Sequence, residues 1–369
     1  MEIHIEKDAR CAVVGHGSWA TGIVKILTDS GQKVGWYVRN AEVLESLRSE
    51  GRNTRYLSDV EFDPAQIEPS GDINKVVGEA DVVILAAPSA FLETFLEGLT
   101  VPLSDKFVIS AIKGIVPGSY LSITEYLARR HGVSPAGIGV IGGPSHAEEV
   151  AMERLSYLTV ACRNLDNARI MAYKLSAPYI RVAISNDIHG VEYAAILKNI
   201  YALSVGIAVA LGYGDNFLSV LISNGAREMR RFLDGAFPCP RPCSEHATAA
   251  EAGHATAAET DSDSGINAAN PCGERDTNTS AFLGDLLVTA YSPFSRNRRF
   301  GMMIGKGLHI KSAQMELGGV AEGLYATETV HHVNERHGID MPIAQAVYDI
   351  LYGGAQPSKT MRNLTNKLI

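Results

Sequence analysis

Cys11-Ala12-Val13-Val14-Gly15-His16-Gly17-Ser18-Trp19-Ala20-Thr21 is the stretch whose reading decides the fold. The apolar run before Gly15 reads as a buried strand. Gly15 and Gly17 make a turn, and Ile23, Val24, Ile26 and Leu27 follow at helical spacing. Glycines let a backbone come close to phosphates, and a helix N-terminus offers unpaired N–H groups at the positive end of its dipole. A second run, Lys33-Val34-Gly35-Trp36-Tyr37-Val38, comes at the distance a strand–helix–strand unit requires. The combination points to a site for a dinucleotide pyrophosphate rather than to an ordinary strand–turn–helix corner.

Outward from this unit, apolar runs alternate with amphipathic segments up to about residue 186. Asp81–Ala87, Lys106–Ala111, Gly137–Ile141 and Leu155–Val160 read as parallel strands buried on both faces. The fold class expected is α/β: an N-terminal Rossmann-like doubly wound parallel sheet with an all-α C-terminal domain. The boundaries expected are 1–186 for the nucleotide-binding domain and 187–369 for a helical substrate domain. Ligands of such sheets sit beyond the carboxyl ends of the strands. That directs attention to Pro88-Ser89, Lys113-Gly114 and Gly142-Gly143-Pro144-Ser145. A stretch from Phe237 to Thr279 interrupts the helical half with Pro, Ala, Thr, Ser, Asp and Glu and almost no large apolar residue. Such a composition cannot offset the entropy of ordering it, so a flexible, dispensable surface excursion is expected.

Bulk properties restrict the function classes. The chain has 369 residues, 46% of them hydrophobic, enough for two cores of ordinary size. A net charge of -8 argues against nucleic acid as a partner. Charged residues precede the first apolar run, so no signal peptide is expected, and the uncharged run Asn199–Leu211 is too short for membrane insertion. Five cysteines do not form a secreted disulfide framework, which leaves a cytoplasmic setting as the expectation. Cys239, Cys243, His246, His254 and Cys272 are irregularly spaced, and no metal is expected.

Several polar residues sit where chemistry is possible. Lys198 lies in a helix that is apolar nearly all round, so lost hydration lowers its pKa toward neutrality and suits it to proton transfer, unless it pairs with Glu192 or another carboxylate. Lys113 follows a buried strand at its carboxyl end. Ser145 and Glu148 stand at capping-box spacing, while the glycines before them suggest close backbone approach to a ligand. Asp285, Thr289 and Arg296 share one face if their helix persists, and Arg296 with Ser295 and Asn297 suits a phosphate.

These pieces together resemble the bacterial-type NAD(P)-dependent sn-glycerol-3-phosphate dehydrogenases. The resemblance is carried by GHGSWAT (15–21), APS (87–89), AIKGI (111–115), GGPSHAEEV (142–150) and GVEYAAILKNI (190–200). It continues through GYGDNFLSVLISNGAREM (212–229), LGDLLVT (283–289), SRNRRFG (295–301), AEG (321–323) and MPIAQAVYDIL (341–351). It implies NAD(P)H-dependent, reversible reduction of dihydroxyacetone phosphate to sn-glycerol 3-phosphate for glycerophospholipid synthesis, by a homodimer. It also implies roles: Lys198 as proton donor and acceptor, Lys113 at both cofactor and substrate, and Asp285 beside them. Gly143, Ser145, Thr289, Ser295, Arg296 and Asn297 fall to the substrate. Gly15, Gly17, Ser18, Trp19, Arg39, Ala147, Val320 and Glu322 fall to the cofactor, with Arg296 reaching it as well. Arg39 stands where a carboxylate would select NAD, so use of NADPH at least equal to NADH is expected. Two other readings compete: a hydroxy-acid dehydrogenase of similar architecture, and a non-catalytic NAD(P)-binding regulator.

Overall fold

Alternate residues of the first apolar run face opposite ways. Cys11 and Val13 join one buried cluster, Ala12 and Val14 another, so this strand is covered on both faces. The computed structural model describes residues 3–239, 266–268 and 275–369. In it Cys11–Val14 (β1) lies between Val34–Tyr37 (β2) and Val82–Leu85 (β4), with Ile67–Ser70 (β3) beyond β2. From β4 the sheet continues through Phe107–Ser110 (β5), Ile138–Gly142 (β8), Ser156–Cys162 (β9), Ile180–Ser185 (β10) and Ile266–Ala268 (β11). Ile115–Val116 (β6) and Leu121–Ser122 (β7) make a separate antiparallel hairpin.

Helices Ser18–Asp29 (α1), Ala41–Glu50 (α2), Ile73–Gly78 (α3), Leu92–Leu96 (α4), Ile123–His131 (α5), Ala147–Ala151 (α6) and Leu165–Lys174 (α7) link these strands. The remainder of the described chain is helical apart from β11. It comprises Ile188–Ala210 (α8), Asp215–Ala236 (α9), Asp285–Tyr291 (α10), Arg296–Gly305 (α11), Ile310–Leu317 (α12), Glu322–Glu335 (α13), Pro342–Leu351 (α14) and Pro357–Thr365 (α15).

One expected direction is wrong. Residues 155–160 were expected as a parallel strand, but β9 pairs antiparallel with β8, while β9, β10 and β11 are parallel to one another. The segment after β8 is spent at the carboxyl end of the sheet, where α6 has only five residues. No helix carries the chain back to the opposite end, as a parallel return requires, so β9 starts where β8 stops.

α8 is the axis of the helical half. It is long and apolar enough to cross a membrane by length and composition, yet nearly all of it is buried inside the fold. A Cβ built on Gly206 would overlap the Arg298 carbonyl, and one on Gly301 the Leu203 carbonyl, so α8 and α11 touch backbone to backbone. Asp187 caps α8, accepting from the Gly190 N–H at 2.9 Å.

The excursion is more engaged than expected. β11 comes from within it and extends the sheet at β10, in parallel. At its far end Arg275 is buried, and its Nε and Nη2 donate to Asp187 at 2.5 and 3.0 Å. The same guanidinium donates to Asp234 at 3.2 Å and to the Phe237 carbonyl at 2.8 Å. A replacement linker therefore has to keep Arg275, because among the described residues it is the ion-pair partner of Asp187. Cys243, His246, His254 and Cys272 lie outside the described residues. Among the described residues no three His, Cys, Asp or Glu side chains gather as metal ligands.

Candidate active site

Among the described residues Lys198 is ion-paired to one carboxylate, Asp285. Its Nζ donates to Asp285 Oδ1 at 2.5 Å, with Lys198 4% and Asp285 1% exposed. Burial and the Lys113 charge outweigh the attraction of Asp285 and push the Lys198 pKa down to about 7. Glu192 takes no part. It is buried on the same helix, and its carboxylate accepts from the Thr124 N–H at 2.9 Å and the Thr124 hydroxyl at 2.6 Å, at the start of α5.

Asp285 reaches Lys198 because the chain makes one π-type turn, Ser280–Gly284, and then enters α10 at this residue. Its Oδ2 makes no hydrogen bond among the described residues and lies 3.5 Å from Lys113 Nζ. Lys113 completes the cluster from the end of β5. Its Nζ donates to the Gly143 carbonyl at 2.8 Å and to Ser145 Oγ at 3.3 Å, and it lies 5.5 Å from the centre of the Trp19 ring. Trp19 in turn donates its indole N–H to the Ala111 carbonyl at 3.0 Å.

Three local readings are corrected. Ser145 does not cap α6. His146 occupies the N-cap without a side-chain bond, and Ser145 Oγ donates instead to the Gly143 carbonyl at 3.0 Å. The tight approach at Gly143 is to protein: at φ 103° a Cβ would fall 2.6 Å from the Tyr157 carbonyl oxygen of β9. The helix starting at Asp285 does not reach Arg296. It ends at Tyr291, because Ser292 before Pro293 is held extended, and α11 begins a new helix at Arg296. Thr289 is buried on α10 with its hydroxyl donating to the Asp285 carbonyl at 2.6 Å.

The phosphate candidates sit at the start of α11. Ser295 is its N-cap and accepts from the Arg298 N–H at 3.3 Å, and Arg296 is exposed. Asn297 is buried in a relay. Its Nδ2 donates to Asn199 Oδ1 at 2.8 Å, and its Oδ1 accepts from the Gly323 N–H at 2.8 Å. Asn199 Nδ2 donates to the Lys113 carbonyl at 2.8 Å, so one chain of amides ties β5, α8, α11 and α13 together. Glu322 begins α13, and both its oxygens accept from Ser89, one from the N–H at 3.0 Å and the other from the hydroxyl. Burial raises its pKa against the pull of those bonds and of Arg296. Val320 is half-buried beside Gly319, where a Cβ would come within 3.2 Å of Arg296 Nη1.

The glycine turn fits a dinucleotide. Gly15 has φ 136°, and a Cβ there would lie 2.9 Å from the Ala86 backbone. A Cβ on Gly17 would meet nothing within 4 Å, and α1 starts without a side-chain cap, leaving the N–H groups near Ser18 for an anion. Ala147, by contrast, is buried on α6. Arg39 follows β2, donating to the Thr94 carbonyl at 3.3 Å with its guanidinium 5.2 Å from the Phe95 ring centre.

Sequence reasoning missed His16, Arg55, Tyr56, Asn199 and His146. His16 lies against Phe95 and Tyr56, and its pKa falls through burial and the charges of Arg39 and Arg55. Asn199 directly follows Lys198, and an amide inside an apolar helix was a signal that could have found it.

Known proteins resemble this chain throughout. Residues 10–168 match the family described as NAD-dependent glycerol-3-phosphate dehydrogenase N-terminus, and residues 187–261 and 265–362 match its C-terminus. A glycerol-3-phosphate dehydrogenase (NAD(P)+) of an Exiguobacterium species is 32% identical, covering 97% of this chain and 96% of its own. One from Corynebacterium jeikeium is 32% identical over 96% of this chain and 97% of its own. A crystal structure of glycerol-3-phosphate dehydrogenase from Coxiella burnetii superposes with TM-score 0.80 at 28% identity, covering 98% and 99% of the two chains.

The two turn glycines should separate in their effects. Gly17→Ala should leave stability within about 0.5 kcal/mol, because its methyl meets no protein atom. The same methyl should weaken NADPH binding roughly tenfold by crowding the phosphates. Gly15→Ala should lower stability by about 2 kcal/mol, since its methyl meets backbone. Urea denaturation and fluorescence titration with NADPH read the two quantities.

Proposed function

The chain belongs to the NAD-dependent glycerol-3-phosphate dehydrogenase family, and we propose that the Lys198–Asp285 pair with Lys113 beside it is where this chain carries out that family's reaction. The activity is reduction of dihydroxyacetone phosphate to sn-glycerol 3-phosphate with NAD(P)H, reversible in principle. The observation that carries the assignment is a buried lysine 2.5 Å from a buried aspartate, with Lys113, just past the carboxyl end of β5, 3.5 Å from that aspartate. The bound nicotinamide supplies the hydride. Lys198 gives a proton to the oxygen that becomes the new hydroxyl, and takes one in the reverse direction. Asp285 aims the Lys198 ammonium, and Lys113 adds positive charge where negative charge develops. Arg296, Asn297 and Ser295 hold the phosphate, and binding energy from that remote group fixes the carbonyl for reaction. Gly143 and Ser145 set the position of Lys113 from the substrate side.

At the cofactor end, Gly15, Gly17, Ser18 and Trp19 form the phosphate turn, and Ala147, Val320 and Glu322 supply further cofactor contacts. Arg39, with Arg55 near it, supplies cations suited to a ribose 2′-phosphate. The family resemblance further supports a homodimer in the cytoplasm whose product enters glycerophospholipid synthesis.

Lys198→Ala should lower kcat by roughly 10²–10⁴ with NADPH affinity retained, the usual worth of a positioned acid or base. A variant within a few-fold of the parent enzyme would refute the assignment. The pH dependence has a definite sign. Reduction needs the charged ammonium, so kcat/KM should fall as pH rises through about 7, while that of the reverse oxidation, which needs the neutral amine, should rise.

Recognition of the phosphate is tested with dihydroxyacetone phosphate beside unphosphorylated dihydroxyacetone, which should be a far poorer substrate. Arg296→Ala should lose ten- to a hundredfold in kcat/KM with the phosphorylated ketone, about 1.5–3 kcal/mol, and little with the other. An unchanged value would place the phosphate elsewhere. Arg39→Ala should cost more efficiency with NADPH than with NADH, and equal losses would show that the guanidinium does not read the ribose.

A further inference from the structure

We propose that His146 is a specificity-determining residue that contacts the substrate: its Nε2 hydrogen-bonds the free hydroxyl of dihydroxyacetone phosphate, selecting a hydroxymethyl ketone over a methyl ketone. The proposal rests on the reaction assigned above. The substrate has three polar parts. The carbonyl goes to Lys198, and the phosphate goes to Ser295, Arg296 and Asn297. The third, a neutral hydroxyl, requires a hydrogen-bonding group close to the lysines whose capacity is unspent.

Few groups qualify. The Thr289 hydroxyl donates into its own helix, and the Ser145 hydroxyl lies between the Gly143 carbonyl and Lys113. Asp285 Oδ2 faces the Lys113 ammonium. His146 sits between Ser145 and Ala147 at the start of α6, and its imidazole is not spent on capping that helix. Its Nε2 is buried, with no hydrogen-bond partner among the described residues. The ring lies 6.3 Å from that of Phe294, in the turn leading to Ser295. A buried nitrogen without a partner is costly, and a ligand hydroxyl that bonds it relieves that cost.

Burial, more than charge, favours the neutral ring. The charges that act on it are those of Lys198 from α8, Lys113 after β5, Asp285 of α10 and Glu148 of α6. Burial and the two ammonium groups lower its pKa against the opposite pull of the two carboxylates. A neutral imidazole offers one donor and one acceptor, which matches a hydroxyl and adds no third positive charge beside the two lysines. A site built around such a bond rejects an analogue that lacks the hydroxyl, because the nitrogen is then left unpaired.

The test compares dihydroxyacetone phosphate with acetonyl phosphate, the same phosphorylated ketone bearing a methyl group in place of the hydroxymethyl. The parent enzyme should prefer the first. In His146→Phe, kcat/KM should fall roughly ten- to a hundredfold with dihydroxyacetone phosphate but change less than about threefold with acetonyl phosphate. His146→Gln, whose amide reaches the position of Nε2, should regain most of the preference. Fluorescence titration with NADPH confirms that each variant is folded and binds cofactor. If His146→Phe lowers both substrates equally, or if neither variant shifts the ratio, the residue is structural and the proposal fails while the assigned reaction stands. A parent enzyme unable to reduce dihydroxyacetone phosphate would overturn that reaction and this proposal together.

Discussion

One ion pair organises the site. Lys198 and Asp285 are each stripped of water by the helices around them, and an isolated charge in such a place is too costly to keep. The pair makes both tolerable, but Asp285 is shared between two lysines 2.5 and 3.5 Å away. Two ammonium groups against one carboxylate leave the cluster one positive charge in excess. An excess of this sign attracts anions and stabilises an oxygen that gains negative charge. The same imbalance helps depress the Lys198 pKa.

Holding those three groups together requires parts of the chain that are distant in sequence to meet with little slack. α8 makes this possible by being apolar nearly all round, so that other elements pack against it on most sides. Glycines at its contact with α11 remove the side chains that would hold the helices apart. The amide relay Lys113–Asn199–Asn297–Gly323 then sets the register among the sheet and three helices. Removing one amide would leave its neighbours buried and unpaired, so the relay resists sliding better than apolar contacts alone.

Much of this was legible in the chain itself. The strands flanking β1 announce themselves through apolar runs, and Lys198 stands out because it shares a largely apolar helix with a single other charged residue, Glu192. What sequence did not reveal depends on where distant segments land. The direction of β9 follows from how little chain is available to cross the sheet. The role of Ser145 was disguised by its capping-box spacing with Glu148, a local pattern overridden by Lys113 arriving from β5. Arg296 seemed to share a face with Asp285 only while the helix was imagined to run through Pro293. Arg275 was invisible for the same reason, being embedded in a low-complexity stretch with no hint that Asp187 awaits it.

The meeting of Asp187, Asp234, Phe237 and Arg275 has a consequence for how this family member can change over time. The chain leaves the helical half at Phe237 and returns at Arg275, and one guanidinium pins departure and return to the same spot. Closing a longer loop between fixed ends adds only about 0.6 kcal/mol for each doubling of its length. Once that clasp exists, the intervening segment can gain or lose residues at small thermodynamic cost while the approach to Asp285 stays in place. The clasp thus separates changes in length between Phe237 and Arg275 from the geometry of the Lys198–Asp285 pair, and makes this position a tolerant point for natural or engineered insertions.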